Sequence, residues 1–283
     1  MKIRKLLVLG AGQMGAGIAQ VCAQAGYEVL LYDISEKNFE KGIREIKRNL
    51  TRQVEKQRIS EEEKKAVMAK IQKSATLNDA AGVDMVIEAV VENMNTKREI
   101  FAQLDEIAQD HTILASNTSS LPITEIAAAT DRPEKVIGMH FMNPVPAMKL
   151  VEIIRGLATS DDVYKRVEDI TKSIGKVPVE VSDFPGFVSN RILMPMINEA
   201  IYALYEGIAT KEAIDEVMKL GMNHPMGPIQ LADFIGLDTC LSVMEILHEG
   251  FGDDKYRPCP LLRKYVKAGW VGKKAGRGFY IYG

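Results

Sequence analysis

His140 and Glu152 are the residues of this sequence best suited, by type and spacing, to move a proton. His140 lies in Ile137-Gly-Met-His-Phe-Met-Asn-Pro144 and Glu152 in Leu150-Val-Glu-Ile-Ile154, two apolar stretches that read as neighbouring β-strands. A carboxylate among apolar strand residues is costly unless it is paired. Beside an imidazole it holds one tautomer and stabilises the imidazolium. Such a couple suits alcohol oxidation and its reverse, in which a base takes the hydroxyl proton while hydride leaves for a nicotinamide. The strand delivers His140 to the sheet edge where ligands of open α/β sheets bind. A histidine alone on an apolar strand is more often a satisfied core residue; the strand carboxylate, together with a dinucleotide signature, favours the catalytic reading. His111 beside Asp110 and His248 near a helix end are expected to be solvated, and His224 before Pro225 to serve a turn or packing.

The dinucleotide signature is Gly10-Ala-Gly12-Gln13-Met14-Gly15, set between an apolar run and a small-residue helix. The first glycine permits the turn, the second admits backbone close to a pyrophosphate, and the third lets helix pack on strand. The helix N-terminus then offers unpaired N–H groups and its positive dipole end to the phosphates. Asp33, at the end of the second expected strand, suits the hydroxyls of a ribose and disfavours a 2′-phosphate, so NAD is expected over NADP, with Lys37 pulling the other way. Ser116-Asn-Thr-Ser-Ser120 follows another strand. Such short polar residues make turns as readily as contacts, and spacing does not separate Ser119 from its neighbours. Asn190 reads equally well as a helix-surface residue.

These groups need a scaffold, and the periodicity supplies one. Residues 1–183 alternate short apolar runs with helical patterns, the mark of βαβ units and a mostly parallel, Rossmann-type α/β sheet. Strands are expected at Lys5–Leu9, Glu28–Asp33, Asp84–Val90, Thr112–Ser116, Val136–Phe141, Val151–Arg155 and Val177–Val181. An inserted helical hairpin spans Ser35–Gln57 and Ser60–Lys73, the latter opened by the capping box Ser60-Glu-Glu-Glu63, and Thr96–Gln109 carries a similar box, Thr96-Lys-Arg-Glu99. After Ser182-Asp-Phe-Pro-Gly186 the period changes, marking a domain boundary. Residues 184–283 are expected to form a smaller all-α domain for substrate binding and dimerisation, with helices at Phe187–Glu206, Lys211–Leu220, Gln230–Glu249 and Leu261–Lys267. The long apolar stretches Ile192–Leu204 and Leu237–Leu247 are the expected homodimer contact.

Composition narrows the classes. With 283 residues, 46% hydrophobic and 26% charged, the chain matches ordinary globular proteins rather than disordered or fibrous ones. A net charge of −2 gives no sign of nucleic acid or an anionic membrane as partner. Cys22, Cys240 and Cys259 are odd in number and far apart, which argues against a disulfide framework or a metal site and for a reducing, cytoplasmic compartment. The apolar run Leu6–Tyr27 imitates a signal peptide, but its glycines and glutamines break it into strand, turn and helix.

At these residues the chain resembles the 3-hydroxyacyl-CoA dehydrogenase family, and within it the short bacterial members that act on 3-hydroxybutyryl-CoA. The resemblance runs through Gly10–Gly15, Ala115-Ser-Asn-Thr-Ser-Ser120, Gly138-Met-His-Phe-Met-Asn-Pro144, Pro185-Gly-Phe-Val-Ser-Asn-Arg191, Asn223-His-Pro-Met-Gly-Pro228 and Gly276-Arg-Gly-Phe-Tyr280. It implies NAD-dependent interconversion of (S)-3-hydroxybutyryl-CoA and acetoacetyl-CoA. His140 matches the family's catalytic histidine and Glu152 its partner; Ser119 and Asn190 match residues that hydrogen-bond the reacting oxygen and nearby substrate. Asp33, Glu92, Lys97, Asn117, Asn143 and Lys274 match positions that contact the dinucleotide. The rival readings are a β-hydroxyacid dehydrogenase acting on a free acid through a lysine base, and a non-catalytic nucleotide-binding protein on the same fold.

One charged segment gains meaning from the resemblance. Residues 41–73 hold eleven Lys or Arg against five acids. Arg44, Arg48, Arg52 and Lys56 recur every fourth position, a stripe opposite the apolar Phe39, Ile43, Ile46, Leu50 and Val54. A solvated helix face is the plain reading. Family members place basic residues at the Arg52 and Lys56 positions near coenzyme A, whose phosphates suit them.

Overall fold

In the eight-stranded sheet, apolar side chains run almost without interruption along the central strands, because helices cover both faces of a parallel sheet. The structure is a computed structural model describing residues 3–283. The chain divides into two compact units, the first ending at Asp183 and the second spanning Phe184–Gly283.

The first unit begins with β1 (Lys5–Leu9), α1 (Gln13–Gln24), β2 (Glu28–Tyr32), α2 (Glu36–Glu55), α3 (Glu61–Ala69), β3 (Ile71–Lys73) and β4 (Met85–Glu88). It continues with α4 (Met94–Ile107), β5 (Ile113–Ser116), α5 (Ile123–Ala127), β6 (Val136–Phe141), β7 (Leu150–Arg155), α6 (Asp161–Ser173) and β8 (Val177–Ser182). The spatial order is β3-β2-β1-β4-β5-β6-β7-β8. Every neighbouring pair is parallel except β6 and β7. β1 lies between β2 and β4, so successive crossovers leave it in opposite directions and open a crevice beyond its carboxyl end. Leu6, Val8, Ile18, Leu31, Ile46, Leu50, Ile87 and Phe141 belong to one buried core beneath that crevice.

Two expectations about this unit need correction. The helix predicted to run to Lys73 stops at Ala69, and Ile71–Lys73 instead adds an edge strand through Val29↔Ile71 and Leu31↔Lys73. Its capping box at Ser60 and Glu63 is present. α4 starts earlier than predicted, at Met94, because the Asn93 side chain accepts from the Thr96 amide at 3.0 Å. Thr96 is therefore inside the helix and forms no capping box with Glu99. An asparagine is as good a cap as threonine, and local pattern does not choose between them.

The second unit contains α7 (Ser189–Tyr205), α8 (Lys211–Gly221), α9 (Pro228–Ile235), α10 (Leu237–Phe251) and α11 (Pro260–Lys267). The single helix expected over Gln230–Glu249 is two, broken at Gly236, whose φ of 107° no helix admits. The apolar period runs straight through the break, which hides it from sequence. Met194, Ile197, Ile201, Leu237, Val243, Met244 and Leu247 pack into this unit's own core. The apolar surplus that suggested a dimer contact in these stretches is thus largely consumed internally, with Ile192 left 66% exposed. The buried carboxylate of Asp233 accepts from the amides of Phe279 and Tyr280, fastening the C-terminal segment. No helix among the described residues is long and apolar enough to cross a membrane.

Candidate active site

The glycine turn is built by close approach. Gly10 has φ +94°, and a Cβ there would lie 2.5 Å from the Ala89 carbonyl oxygen. A Cβ on Gly15 would lie 1.8 Å from the Gly10 carbonyl oxygen. Gly12 differs, since a Cβ there would meet nothing within 4 Å. Gly10 and Gly15 are therefore required by packing, whereas the missing side chain of Gly12 leaves space in front of the first turn of α1. Gly12 caps that helix without a side-chain bond, so the Gln13 and Met14 amides begin a helix whose positive end is not neutralised by a capping side chain.

Asp33 ties this turn to β2. Its Oδ2 accepts from the Ala11 amide at 2.8 Å and its Oδ1 from the Ser35 amide at 2.8 Å and Asn38 Nδ2 at 3.3 Å. The carboxylate also lines a cleft of ≈ 640 Å³ together with Gly10, Gly12, Gln13, Met14, Ile34, Leu77, Val90, Val91, Thr96 and Ile100. Ile34 is 93% and Val91 66% exposed. Apolar side chains held open on a cleft wall beside a helix N-terminus and a carboxylate fit a nucleotide: a flat base, a ribose and phosphates find matching surfaces.

His140 and Glu152 stand directly opposite each other in the antiparallel β6–β7 ladder. Directly opposed residues on such a pair point to the same face, and His140 Nδ1 meets Glu152 Oε2 at 2.8 Å. Both are buried, at 6% and 2%. An ionised Glu152 only accepts, so Nδ1 carries a hydrogen and Nε2 is the nitrogen able to exchange a proton with a substrate. The other histidines of known partner are peripheral: His111 lies 3.6 Å from Asp84 and His248 3.2 Å from Asp254, both half-exposed.

A polar ladder supports the neighbouring strand ends. Glu92 Oε1 accepts from Thr118 Oγ1 at 2.6 Å, the Ser119 amide at 2.9 Å, and the Ser120 amide and hydroxyl at 3.1 and 3.0 Å. Burial would raise the Glu92 carboxyl, but the Lys97 ammonium and the Thr118, Ser119 and Ser120 donors outweigh it and hold the group below its usual range. Lys97, expected at the dinucleotide, is 1% exposed, with Nζ 2.7 Å from Glu88 and 3.4 Å from Glu92. Glu88 also accepts from Ser116 Oγ at 2.6 Å and the Val90 amide at 2.7 Å. Sequence reasoning missed Glu88, although its signal resembles that of Glu152: a carboxylate on an otherwise apolar strand, here at the end of Met85-Val-Ile-Glu88. Asn117 Oδ1 accepts from the Phe141 amide at 2.9 Å, pinning β6 just beyond His140.

Asn143 is joined to the cradle helix, its Oδ1 accepting from Gln13 Nε2 at 3.0 Å. Along α2, Arg44 pairs with Glu40 and Arg48 with Glu45, while Arg52 and Lys56 are exposed and form no ion pair among the described residues. The first unit thus brings together the cradle, Asp33, Glu92, Lys97, Asn117, Ser119, Asn143, His140 and Glu152. Asn190, in the first turn of α7, and Lys274 belong to the second unit, where Lys274 Nζ lies 2.7 Å from Asp238.

Comparison with known proteins gives a consistent result. Residues 5–184 match the family model for the 3-hydroxyacyl-CoA dehydrogenase NAD binding domain, and residues 186–282 match that for the C-terminal domain. The chain is 64% identical to a probable 3-hydroxybutyryl-CoA dehydrogenase of Bacillus subtilis, covering 100% of this chain and 98% of that one. It is 55% identical to a 3-hydroxybutyryl-CoA dehydrogenase of Bradyrhizobium diazoefficiens, covering 99% and 96%. The crystal structure of the (S)-3-hydroxybutyryl-CoA dehydrogenase of Ralstonia eutropha superposes with a TM-score of 0.97 at 51% identity, over 100% of both chains.

Proposed function

This chain belongs to the 3-hydroxyacyl-CoA dehydrogenase family, and from that premise we propose that it interconverts (S)-3-hydroxybutyryl-CoA and acetoacetyl-CoA with NAD. The observation that carries the reading is the buried 2.8 Å His140–Glu152 pair in a unit that also holds an open phosphate cradle. The Gly12 gap, the α1 amides and Asp33 fit a dinucleotide, which supplies the hydride for C3 when bound. In the reductive direction protonated His140 donates from Nε2 to the C3 oxygen, and Glu152 stabilises the imidazolium before the transfer and holds the ring afterwards. Family likeness assigns Ser119 and Asn190 to hydrogen bonds with that oxygen and its surroundings. It assigns Glu92, Lys97, Asn117, Asn143 and Lys274 to dinucleotide contacts. The Lys97 ammonium also serves Glu88 and Glu92.

Arg52 and Lys56 are proposed to meet the coenzyme A phosphates, since they are the members of the α2 stripe not engaged by a carboxylate. A homodimer through the second unit is proposed on the exposed Ile208, Leu220, Met222 and Phe234, 60 to 78% accessible; light scattering should give twice the 31.4 kDa chain mass. Three free, buried cysteines suit a cytoplasmic location, which cell fractionation checks. The central test is NADH oxidation followed by absorbance. Turnover is expected with acetoacetyl-CoA and absent with free acetoacetate; activity on the free acid would favour a hydroxyacid dehydrogenase, and NADH binding without turnover a non-catalytic role.

A further inference from the structure

The connection between β6 and β7 leaves the sheet directly after the strand of His140 and returns as the strand of Glu152. Asn143 of this loop accepts from Gln13 of α1. Val145 packs so tightly on α1 that a Cβ on Gly17 would lie 2.8 Å from the Val145 Cβ. The loop also rests on Lys176, which precedes β8. The Lys176 ammonium donates to the carbonyls of Val145 at 2.5 Å and Met148 at 2.7 Å. Lys176 is 8% exposed and forms no ion pair with a carboxylate among the described residues; its titratable neighbour is the buried Cys22 thiol of α1. An ammonium buried without a carboxylate is a costly choice where an apolar side chain would pack more cheaply. What it supplies instead is direction, since two fixed carbonyls three residues apart define where the loop's turn lies. The turn is closed on itself by the Ala147 and Met148 amides, both donating to the Pro144 carbonyl at 3.0 Å, so that it moves as one piece. Its backbone anchor is equally fixed, because the Lys176 amide donates to Thr171 and that of Val177 to Lys149.

We propose that Lys176 is a positioning residue for hydride transfer: its buried ammonium holds the β6–β7 loop against α1 and thereby sets Asn143 at the dinucleotide. The inference rests on the reading of Asn143 as a dinucleotide contact. It assigns Lys176 no contact with cofactor or substrate. Loss of the ammonium lets the turn drift from α1 and weakens NADH binding through Asn143, while the acyl-CoA side of the reaction keeps its apparent affinity.

The test is a double-mutant cycle on the full-length enzyme with Asn143→Ala, Lys176→Met and the pair, reading the NADH dissociation constant by its fluorescence. Each single change is expected to weaken NADH by about five- to tenfold, and Lys176→Met in the Asn143→Ala background by less than about twofold, since coupled residues are not additive. KM for acetoacetyl-CoA at saturating NADH should stay within about twofold of the parent, a split that a general loss of structure does not produce. Lys176→Gln, which keeps one donor, carries the same comparison if the methionine variant does not fold, and a partial effect is expected of it. Unchanged NADH affinity in both Lys176 variants, or full additivity with Asn143→Ala, overturns the proposal while leaving the Asn143 reading intact. Unchanged affinity in Asn143→Ala alone overturns the Asn143 reading and removes the route by which Lys176 is said to act.

Discussion

His140 and Glu152 face each other across a single rung of an antiparallel ladder, so their 2.8 Å contact is set by strand register rather than by loop conformation. A slip of one residue would turn one of the two side chains to the opposite face of the sheet. The register is held on one side by Asn117 at the Phe141 amide and on the other by six paired positions between β7 and β8.

Replacing the histidine tests the proton transfer. His140→Gln should lower kcat by about 10²- to 10⁴-fold, the usual share of a positioned acid or base, with NADH affinity retained. Steady-state kinetics and fluorescence titration read the two quantities separately, and near-parental turnover would remove His140 from the mechanism.

Glu152→Gln keeps the shape of the pair but removes the charge that stabilises the imidazolium. Turnover should fall by about 10²-fold in kcat, with both KM values little changed, because the lost interaction is strongest when the ring is charged. A KM effect without a kcat effect would show that Glu152 merely packs.

Two glycines of the cradle should answer the same substitution differently. Gly15→Ala forces a methyl to 1.8 Å from the Gly10 carbonyl, and about 2 to 4 kcal/mol of stability should be lost, as for other severe backbone clashes. Gly12→Ala meets no atom within 4 Å. Its melting temperature should stay near the parent's while the NADH dissociation constant rises. Equal destabilisation of both variants would contradict the assignment of Gly12 to the ligand.

Acid sensitivity should trace in part to Glu92. Its carboxyl lies below its usual 4.5 in the folded chain because Lys97 and the Thr118–Ser120 donors outweigh burial. The unfolded chain therefore binds the proton more readily, and the stabilisation is fully present above pH 4.5 and disappears as pH falls through the lower folded value. Glu92→Gln should flatten the acid limb of the melting-temperature profile and leave the neutral region less affected by pH.

The basic stripe gives a salt-dependent prediction. Arg52→Ala and Lys56→Ala together should raise KM for acetoacetyl-CoA by about threefold to tenfold at low salt, converging on the parent as ionic strength rises, because exposed charges are screened. The same pair of changes should leave NADH affinity alone. Arg44→Ala serves as the control, its guanidinium being held by Glu40.

Much of this protein is legible along the chain. Gly10 and Gly15 announce the cradle because a positive φ at the first and close backbone approach at both are demands that only glycine meets, Gly12 between them leaves room for a ligand, and alternation of periods announces the sheet and the helical unit that follows it. His140 and Glu152 stand out because each is a polar residue on an apolar strand, a local anomaly. Other features depend on partners far away in sequence, and these only the tertiary structure decides. Lys97 turns towards Glu88, Asp33 towards the Ala11 amide, and Lys176 towards the carbonyls of Val145 and Met148. Ile71–Lys73 becomes a strand because β2 offers it an open edge. Periodicity records which face of an element is buried; which group a buried side chain meets there depends on strand order and register, and those are settled when the elements pack.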